Sequence, residues 1–351
     1  MTAVVGQRNH LLVGPGRPSR PSTDAPSPRS PATSHGAAAS STISCARRPP
    51  AGRRDDARHS LPGMLNRRMF LAAAAALPHA AACGRSGDAL ERARGDGVLR
   101  VGIAGEEPFG YADSSGAVTG AQPEVARAAL ATIGIGGLEA VQVNFDRLIP
   151  GLVSGQFDMI TAGMTITPGR CTQVAFSRPD FVALPAFLVP VGNPRGIATF
   201  GGVARSGQRL GVIAASSEKD YALAAGVAPD RIAEYGGQST LFRAVAAGEV
   251  PVGALTALSL RNELRRNPGS GLMVTRPVEP VVGGATVTPA GAFAVRPADT
   301  DLLDALDGAL DALHSSGEWL RITAPFGFTA DNDPPAGLTT SSLCALPADD
   351  R

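Results

Sequence analysis

Lysine and histidine are scarce in this chain. Lys219 is the only lysine among 351 residues, yet the formal net charge is +1. This near-neutral balance gives no indication of a nucleic-acid partner. Beyond residue 83, His314 is the only histidine, and Cys171 and Cys344 are the only cysteines. We therefore expect no metal site, no cofactor and no histidine-based catalytic triad.

Long apolar runs are also missing. The apolar stretch from Met69 to Ala82 is too short to span a bilayer and is interrupted by Pro78. Around it, NRRMFL resembles the twin-arginine export motif, and AAAC resembles a lipoprotein processing site. We predict a signal peptide at 64–82, lipidation of Cys83 and a tether at 83–97. A buried alanine-rich helix, the alternative, would leave the flanking arginines and cysteine unexplained.

The first 63 residues have no apolar periodicity and are rich in proline, serine, alanine and arginine. Such a composition does not bury enough surface to fold. The segment 1–63 is predicted to be either disordered or not part of the natural protein, in which case translation begins at Met64. The mature protein is expected outside the cytoplasm, lipid-anchored to the outer face of the cell membrane.

Strands and helices alternate after the tether. Strands are predicted at 98–104, at 140–143 and around Met159, with a helix opening at Pro123 between the first two. This βαβαβ pattern predicts a parallel sheet in an α/β fold. A second α/β set begins with the strand at 209–213. After Asp299, a helix carries Leu302, Leu303, Leu306, Leu310 and Leu313 on one face, which indicates a core position.

One stretch, DMITAGMTITPGRCTQVAFSRPDF at 158–181, combines a buried strand with a polar turn. The strand ends at Gly163, and the turn places Thr165 and Arg170 beyond its carboxyl end, where open α/β sheets bind ligands. The planar guanidinium of Arg170 suits a bidentate grip on a carboxylate. A surface arginine paired with a nearby acid is the alternative.

The sequence GMTITPGRCTQVAFSRPDF resembles the signature of the family 3 extracellular solute-binding proteins, and the resemblance extends from about Leu99 to Phe328. These proteins serve ABC importers of polar amino acids and related solutes. The resemblance implies a two-lobe, type II periplasmic-binding-protein-like fold, with two parallel-sheet lobes joined by a two-crossing hinge near 187–193 and 284–291. The predicted first lobe is 98–188 plus 290–330, the second is 189–289, and 331–351 is a tail.

Four predicted strand ends carry polar or aromatic residues suited to a small zwitterion, and Arg170 matches the family's carboxylate-binding arginine. The alternatives are that Phe109 and Phe145 are core residues and that Ser217 caps a helix without contacting the solute. The predicted ligand-binding residues are Glu106, Phe109, Phe145, Gly163, Thr165, Arg170 and Ser217.

The expected solute is ectoine or hydroxyectoine, and a polar amino acid is the alternative. Amino-acid binders of the family usually carry an aspartate near 250–256, and this stretch has none. Several segments, GEEPFGY, GAQPEVAR, APFGFT and SLCA, resemble the branch that binds ectoine and hydroxyectoine, in which Glu106, Phe109 and Phe145 would contact the ring. Thr165, however, stands where that branch has an aromatic, and threonine there is the amino-acid-binder pattern.

The expected partners are the solute, a membrane permease and the membrane through the lipid anchor, with the protein itself a monomer. An exported dehydratase or lyase is the alternative from another class, for which Glu106, Glu107 and Asp180 are the candidate acids and bases. A third alternative is a sensor that signals and does not transport. Cys171 and Cys344 form an even pair in an exported chain, so they are either a disulfide or two separate thiols.

Overall fold

The computed structural model describes residues 89–345. The predicted extension 1–63, the signal peptide 64–82, Cys83 and the end of the tail beyond residue 345 lie outside this range. The strands are β1 (Val98–Ile103), β2 (Tyr111–Ala112), β3 (Val118–Thr119), β4 (Gly137–Gln142), β5 (Met159–Ile160), β6 (Ala175–Phe176), β7 (Phe181–Val182), β8 (Pro185–Pro190), β9 (Leu210–Ile213), β10 (Ile232–Tyr235), β11 (Val252–Thr256), β12 (Leu272–Val274), β13 (Val281–Val282), β14 (Ala285–Thr286), β15 (Ala290–Gly291) and β16 (Ala294–Val295).

Helices cover both sheets and, among the described residues, none is long and apolar enough to cross a membrane. The helices are α1 (Ala89–Asp96), α2 (Ala121–Thr132), α3 (Leu148–Val153), α4 (Pro168–Cys171), α5 (Phe200–Ser206), α6 (Ser217–Ala224), α7 (Gln238–Ala246), α8 (Ala257–Arg266), α9 (Thr300–Ser315), α10 (Glu318–Thr323) and α11 (Thr340–Cys344).

The first lobe is built on a five-stranded sheet in the order β4-β1-β5-β16-β6. Strand β1 runs parallel to both neighbours, with Val101 opposite Ala140 on one side and Met159 on the other. Strand β16 runs antiparallel to β5 and β6. Four leucines of α9 are buried against this lobe and Leu303 is partly buried, which confirms the predicted core helix.

The second lobe has a five-stranded sheet in the order β10-β9-β11-β8-β12. Strands β10, β9 and β11 are parallel, whereas β8 is antiparallel to β11 and β12. The two-lobe α/β fold is therefore confirmed, although each sheet combines a parallel core with antiparallel strands. Strand β8 pairs with β11 and β12, so the whole apolar run belongs to the second sheet, whereas the predicted first lobe extended to residue 188.

The two crossings between the lobes are paired with each other. Strands β7 and β15 run antiparallel, with Val182 opposite Ala290. The first crossing therefore lies at 181–184, earlier than the predicted 187–193, because the chain enters the second sheet at Pro185. The second crossing, which ends at β15, falls within the predicted range 284–291.

Both ends of the described chain pack on the first lobe. Residues 89–96, expected in the tether, form helix α1 instead, because Ala89, Leu90 and Ala93 are buried in the lobe's core. At the other end, Leu343 of α11 is buried. The predicted tail is therefore a packed segment up to residue 345, and Cys344 is joined to Cys171 by a disulfide with an S–S distance of 2.06 Å.

Candidate functional site

Segments that follow β1, β4, β5 and β9 meet between the two lobes. They line a partly open cavity of about 20 Å³, which is room for about one water molecule. The lobes are thus closed on each other, and a solute can enter only after they separate. The cavity is lined by Glu106, Phe145, Gly163, Thr165, Ile213, Ser216, Ser217, Glu218, Leu255 and Thr256.

Glu106 is a buried carboxyl at the end of β1. Its side chain accepts a hydrogen bond from Ser259 Oγ of α8, at 2.6 Å, and the residue is 7% exposed. The pKa of Glu106 is raised to about 7, mainly by burial; the Ser259 hydrogen bond opposes this shift and the Glu218 carboxyl adds to it. Near neutral pH this carboxyl exchanges between its protonated form, which can donate a hydrogen bond, and its anionic form, which can bind a cation.

Arg170 is held in the first turn after β5. Thr167 caps α4, and its hydroxyl accepts from Arg170 N at 3.4 Å. The guanidinium donates to Thr165 O at 2.7 Å and to Ala215 O at 2.8 Å, and therefore joins the two lobes. Burial lowers the pKa of Arg170. These contacts use two of its five N–H donors, which leaves capacity for a carboxylate.

Phe145 lies beside this guanidinium. The Arg170 Cζ atom is 5.3 Å from the centroid of the Phe145 ring, a cation–π distance. Phe145 borders both the interlobe cavity and a neighbouring cavity of about 370 Å³, which Arg170 and Ala215 also line. A solute carboxylate would therefore reach Arg170 where the interlobe cavity and this neighbouring cavity meet, beside Phe145.

Hydroxyl groups from both lobes complete this end of the site. Ser217 Oγ donates to Thr165 Oγ1 at 3.4 Å. Ser217 is the first residue of α6, so it lies at the positive end of a helix dipole, which favours an anion. The structure thus brings together six of the predicted residues, which are Glu106, Phe145, Gly163, Thr165, Arg170 and Ser217.

Phe109 lies elsewhere. Its ring is fully buried and packs against Phe181 at 5.1 Å and Phe328 at 5.7 Å between ring centroids. A Cβ atom on Gly163 would lie 2.5 Å from Phe109 Cγ, and Gly163 has a φ of +67°. Gly163 is therefore required by close packing over Phe109. Within the described residues, Phe145 is the one aromatic that borders the interlobe cavity, and ligand contact by Phe109 stays a prediction.

Sequence reasoning missed a second buried carboxyl. Glu218 is 3% exposed and lines the same cavity as Glu106, from the opposite lobe. Burial raises the pKa of Glu218. In the sequence, its position directly after Ser217 in AASSE was the feature that could have identified Glu218 as a site residue.

The contacts of Glu107 across the lobes were also missed. Glu107 N donates to Gln238 Oε1 at 3.0 Å, and Gln238 Nε2 donates to Glu107 O at 2.9 Å. The Glu107 carboxylate accepts from Asn262 at 2.9 Å and from Arg266 at 2.6 Å. Glu107 therefore holds the two lobes together in the closed form.

The acidic, histidine and cysteine side chains of residues 89–345 are not grouped as metal ligands. No group of three or more His, Cys, Asp or Glu side chains there could hold a metal ion. His314 stacks on Trp319, with 5.0 Å between ring centroids, and its ring nitrogens face Asp333 at 2.8 Å and Asp180 at 3.4 Å.

Comparison with known proteins agrees with this architecture. Residues 99–339 match the model of the bacterial extracellular solute-binding proteins, family 3. A probable amino-acid ABC transporter periplasmic-binding protein of Sinorhizobium fredii (strain NBRC 101917 / NGR234) is 30% identical over 73% of this chain and 86% of its own length. A probable histidine-binding protein of Neisseria gonorrhoeae is 28% identical over 75% and 96%.

Solved structures are also similar. The crystal structure of EhuB in complex with hydroxyectoine has a TM-score of 0.67 and 31% sequence identity, with 74% of this chain and 99% of that chain covered. An ancestral arginine-binding protein bound to arginine has a TM-score of 0.59 and 29% identity, covering 66% and 99%.

Proposed function

The chain belongs to the bacterial extracellular solute-binding proteins of family 3, and from this premise we propose that its interlobe cavity captures a small zwitterion, ectoine or hydroxyectoine. The general function follows from the family: the protein is the substrate-binding component of an amino-acid-type ABC transporter. Members of this kind are transport binding proteins, not enzymes. Hinge closure around the solute and delivery to a membrane permease complete the proposal.

The observation that carries the choice of solute is the buried Glu106 carboxyl in a cavity that also contains Phe145. A delocalised cation such as the amidinium of ectoine suits an aromatic face and a carboxyl. The stretch 250–256, which has no aspartate, contributes Leu255 and Thr256 to the cavity, so no charge from this stretch would hold an α-ammonium group.

The solute carboxylate would lie at the other end. Arg170 has unused N–H donors there, and the Thr165 and Ser217 hydroxyls lie 3.4 Å apart at the same boundary. Ectoine carries both a carboxylate and an amidinium. EhuB, a solved protein similar to this chain, is in complex with hydroxyectoine.

A polar amino acid is the second candidate, favoured by Thr165. Its hydroxyl lies beside Ser217 at the predicted carboxylate end, where the ectoine branch would have an aromatic. The probable histidine-binding protein and the ancestral arginine-binding protein among the similar proteins support the same candidate.

Calorimetric titration separates the two. The purified protein is titrated with ectoine, hydroxyectoine, L-arginine, L-histidine and L-glutamine. Tight binding of ectoine or hydroxyectoine with at least tenfold weaker binding of the amino acids supports the proposal. The reverse order assigns the protein to amino-acid transport and makes Thr165 the better guide to specificity.

A further inference from the structure

We infer that Glu218 is a second carboxyl of the ligand site, so that Glu106 from the first lobe and Glu218 from the second hold one cationic group of the solute between them. The inference rests on the proposed function and deepens it, because it names the chemical class of the solute's cation. That class is a planar amidinium or guanidinium group with N–H donors on two sides.

The position of Glu218 differs from that of an ordinary helix-end acid. An acidic residue in the first turn of a helix interacts favourably with the dipole while it stays in water. Asp220, in the same turn of α6, is exposed, and its charge acts on Arg170. Glu218 is instead 3% exposed and lines the interlobe cavity. A role at the helix end alone does not require this burial.

An unsatisfied hydroxyl lies in the same place. Ser216, the residue before α6, is 5% exposed and lines the cavity. Its Oγ atom is buried and, among the described residues, has no hydrogen-bond partner of normal geometry. It lies near enough to the Glu218 carboxyl to favour that group's charged form. Buried polar atoms are normally satisfied, so this hydroxyl either turns to the Glu218 carboxyl or donates to a polar group of a solute beside it.

The charges facing the cavity indicate the sign of that group. Burial raises the pKa of both Glu106 and Glu218, and the Glu218 carboxyl raises the pKa of Glu106. Arg170, the nearby cation, lowers the pKa of Glu218, but its remaining N–H donors are assigned to the solute carboxylate at the other end of the site. When both carboxyls are ionised they only accept hydrogen bonds, so each then needs a donor other than its partner. A cation with N–H groups on two sides satisfies both.

The test uses the isosteric variant Glu218→Gln with Glu249→Gln as its control. Glu249 is an exposed glutamate of the same lobe, so the control removes the same charge away from the cavity. Both variants and the wild type are titrated calorimetrically with ectoine, L-arginine and L-citrulline, the uncharged isostere of arginine. Thermal unfolding checks that each variant is folded.

For the cationic solute that the wild type binds, Glu218→Gln should raise Kd by about 10- to 100-fold, the range for a hydrogen bond to a charged group. Glu249→Gln should stay within about twofold. If arginine is that solute, the preference for arginine over citrulline should fall by a similar factor. In the double variant with Glu106→Gln, the combined loss should differ by more than twofold from the product of the single losses, because both carboxyls hold one group.

Three results would overturn the inference. A change of less than threefold in Glu218→Gln, with tight binding by the wild type, leaves the proposed function intact and removes Glu218 from the site. Equal weakening of charged and uncharged solutes, with independent single losses, assigns Glu218 a structural role. Binding of none of the three by the wild type refutes the proposed solute class, and the inference falls with it.

Discussion

Replacing the Glu106 carboxyl with an amide should remove a pH-dependent contribution to stability. The pKa of Glu106 rises from its ordinary 4.5 to about 7. Between these values the folded protein keeps a proton that the unfolded chain has released. The free energy of unfolding therefore falls as the pH rises from 4.5 to 7, and this contribution is constant above 7. The difference between the two pKa values corresponds to about 3 kcal/mol.

Glu106→Gln keeps an oxygen that can accept from Ser259 Oγ, while it removes the titration. Relative to the wild type, the variant should gain up to about 3 kcal/mol in unfolding free energy between pH 4.5 and 7.5. Glu218, whose pKa is also raised, interacts with Glu106, so the difference between the two proteins reports the titration of Glu106 together with its coupling to Glu218. Urea unfolding at half-unit steps of pH measures it.

Glu249→Gln is the control, since Glu249 is exposed and its substitution should give the pH profile of the wild type. A difference between wild type and Glu106→Gln that stays flat from pH 4.5 to 8 would refute the reasoning. It would mean that the Glu106 carboxyl is solvated in the unliganded protein and that the lobes are open there.

Four further predictions concern other parts of the molecule. Arg170→Ala should raise the Kd of a carboxylate-bearing solute by about 10- to 100-fold, and a change below threefold in calorimetry would contradict the assigned carboxylate end. Phe145→Leu should weaken binding of a cationic solute by about 0.5–2 kcal/mol, whereas unchanged affinity would exclude the aromatic face. Cys344→Ser should lower the free energy of unfolding by about 2–5 kcal/mol; urea denaturation with and without reductant measures this, and a stability equal to that of the oxidised wild type would contradict it. Cys83→Ser should move the protein from the membrane fraction to the soluble fraction, and retention in the membrane would count against lipid anchoring.

The fold was largely accessible from the sequence where periodicity was strong. The helix after Asp299 has leucines at a clear helical spacing, and the short apolar run at 98–104 is typical of a strand; the structure has α9 and β1 there. The boundary between the lobes was misplaced for a physical reason. The run in β8 is apolar on both faces, so no alternation indicates which sheet it joins.

The candidate site was accessible only in part. Arg170 and Ser217 follow strand ends, and strand ends in a parallel sheet meet at one edge. Phe109 could not be assigned in this way, because an aromatic in a core and one in a pocket have the same local sequence. Glu218 has the opposite difficulty: an acid after serine at a helix start is ordinary helix chemistry, and only its burial in the closed form separates it from Asp220.

The disulfide between Cys171 and Cys344, 173 residues apart in sequence, has a consequence for the connectivity of the molecule. The covalent ring that it closes contains the whole second lobe and both hinge crossings. A single backbone cut in any loop of that ring, such as the exposed turn between β13 and β14, would leave one covalently continuous molecule. Under oxidising conditions a nicked protein should therefore keep its two lobes together, and the fragments should separate only after both reduction and denaturation.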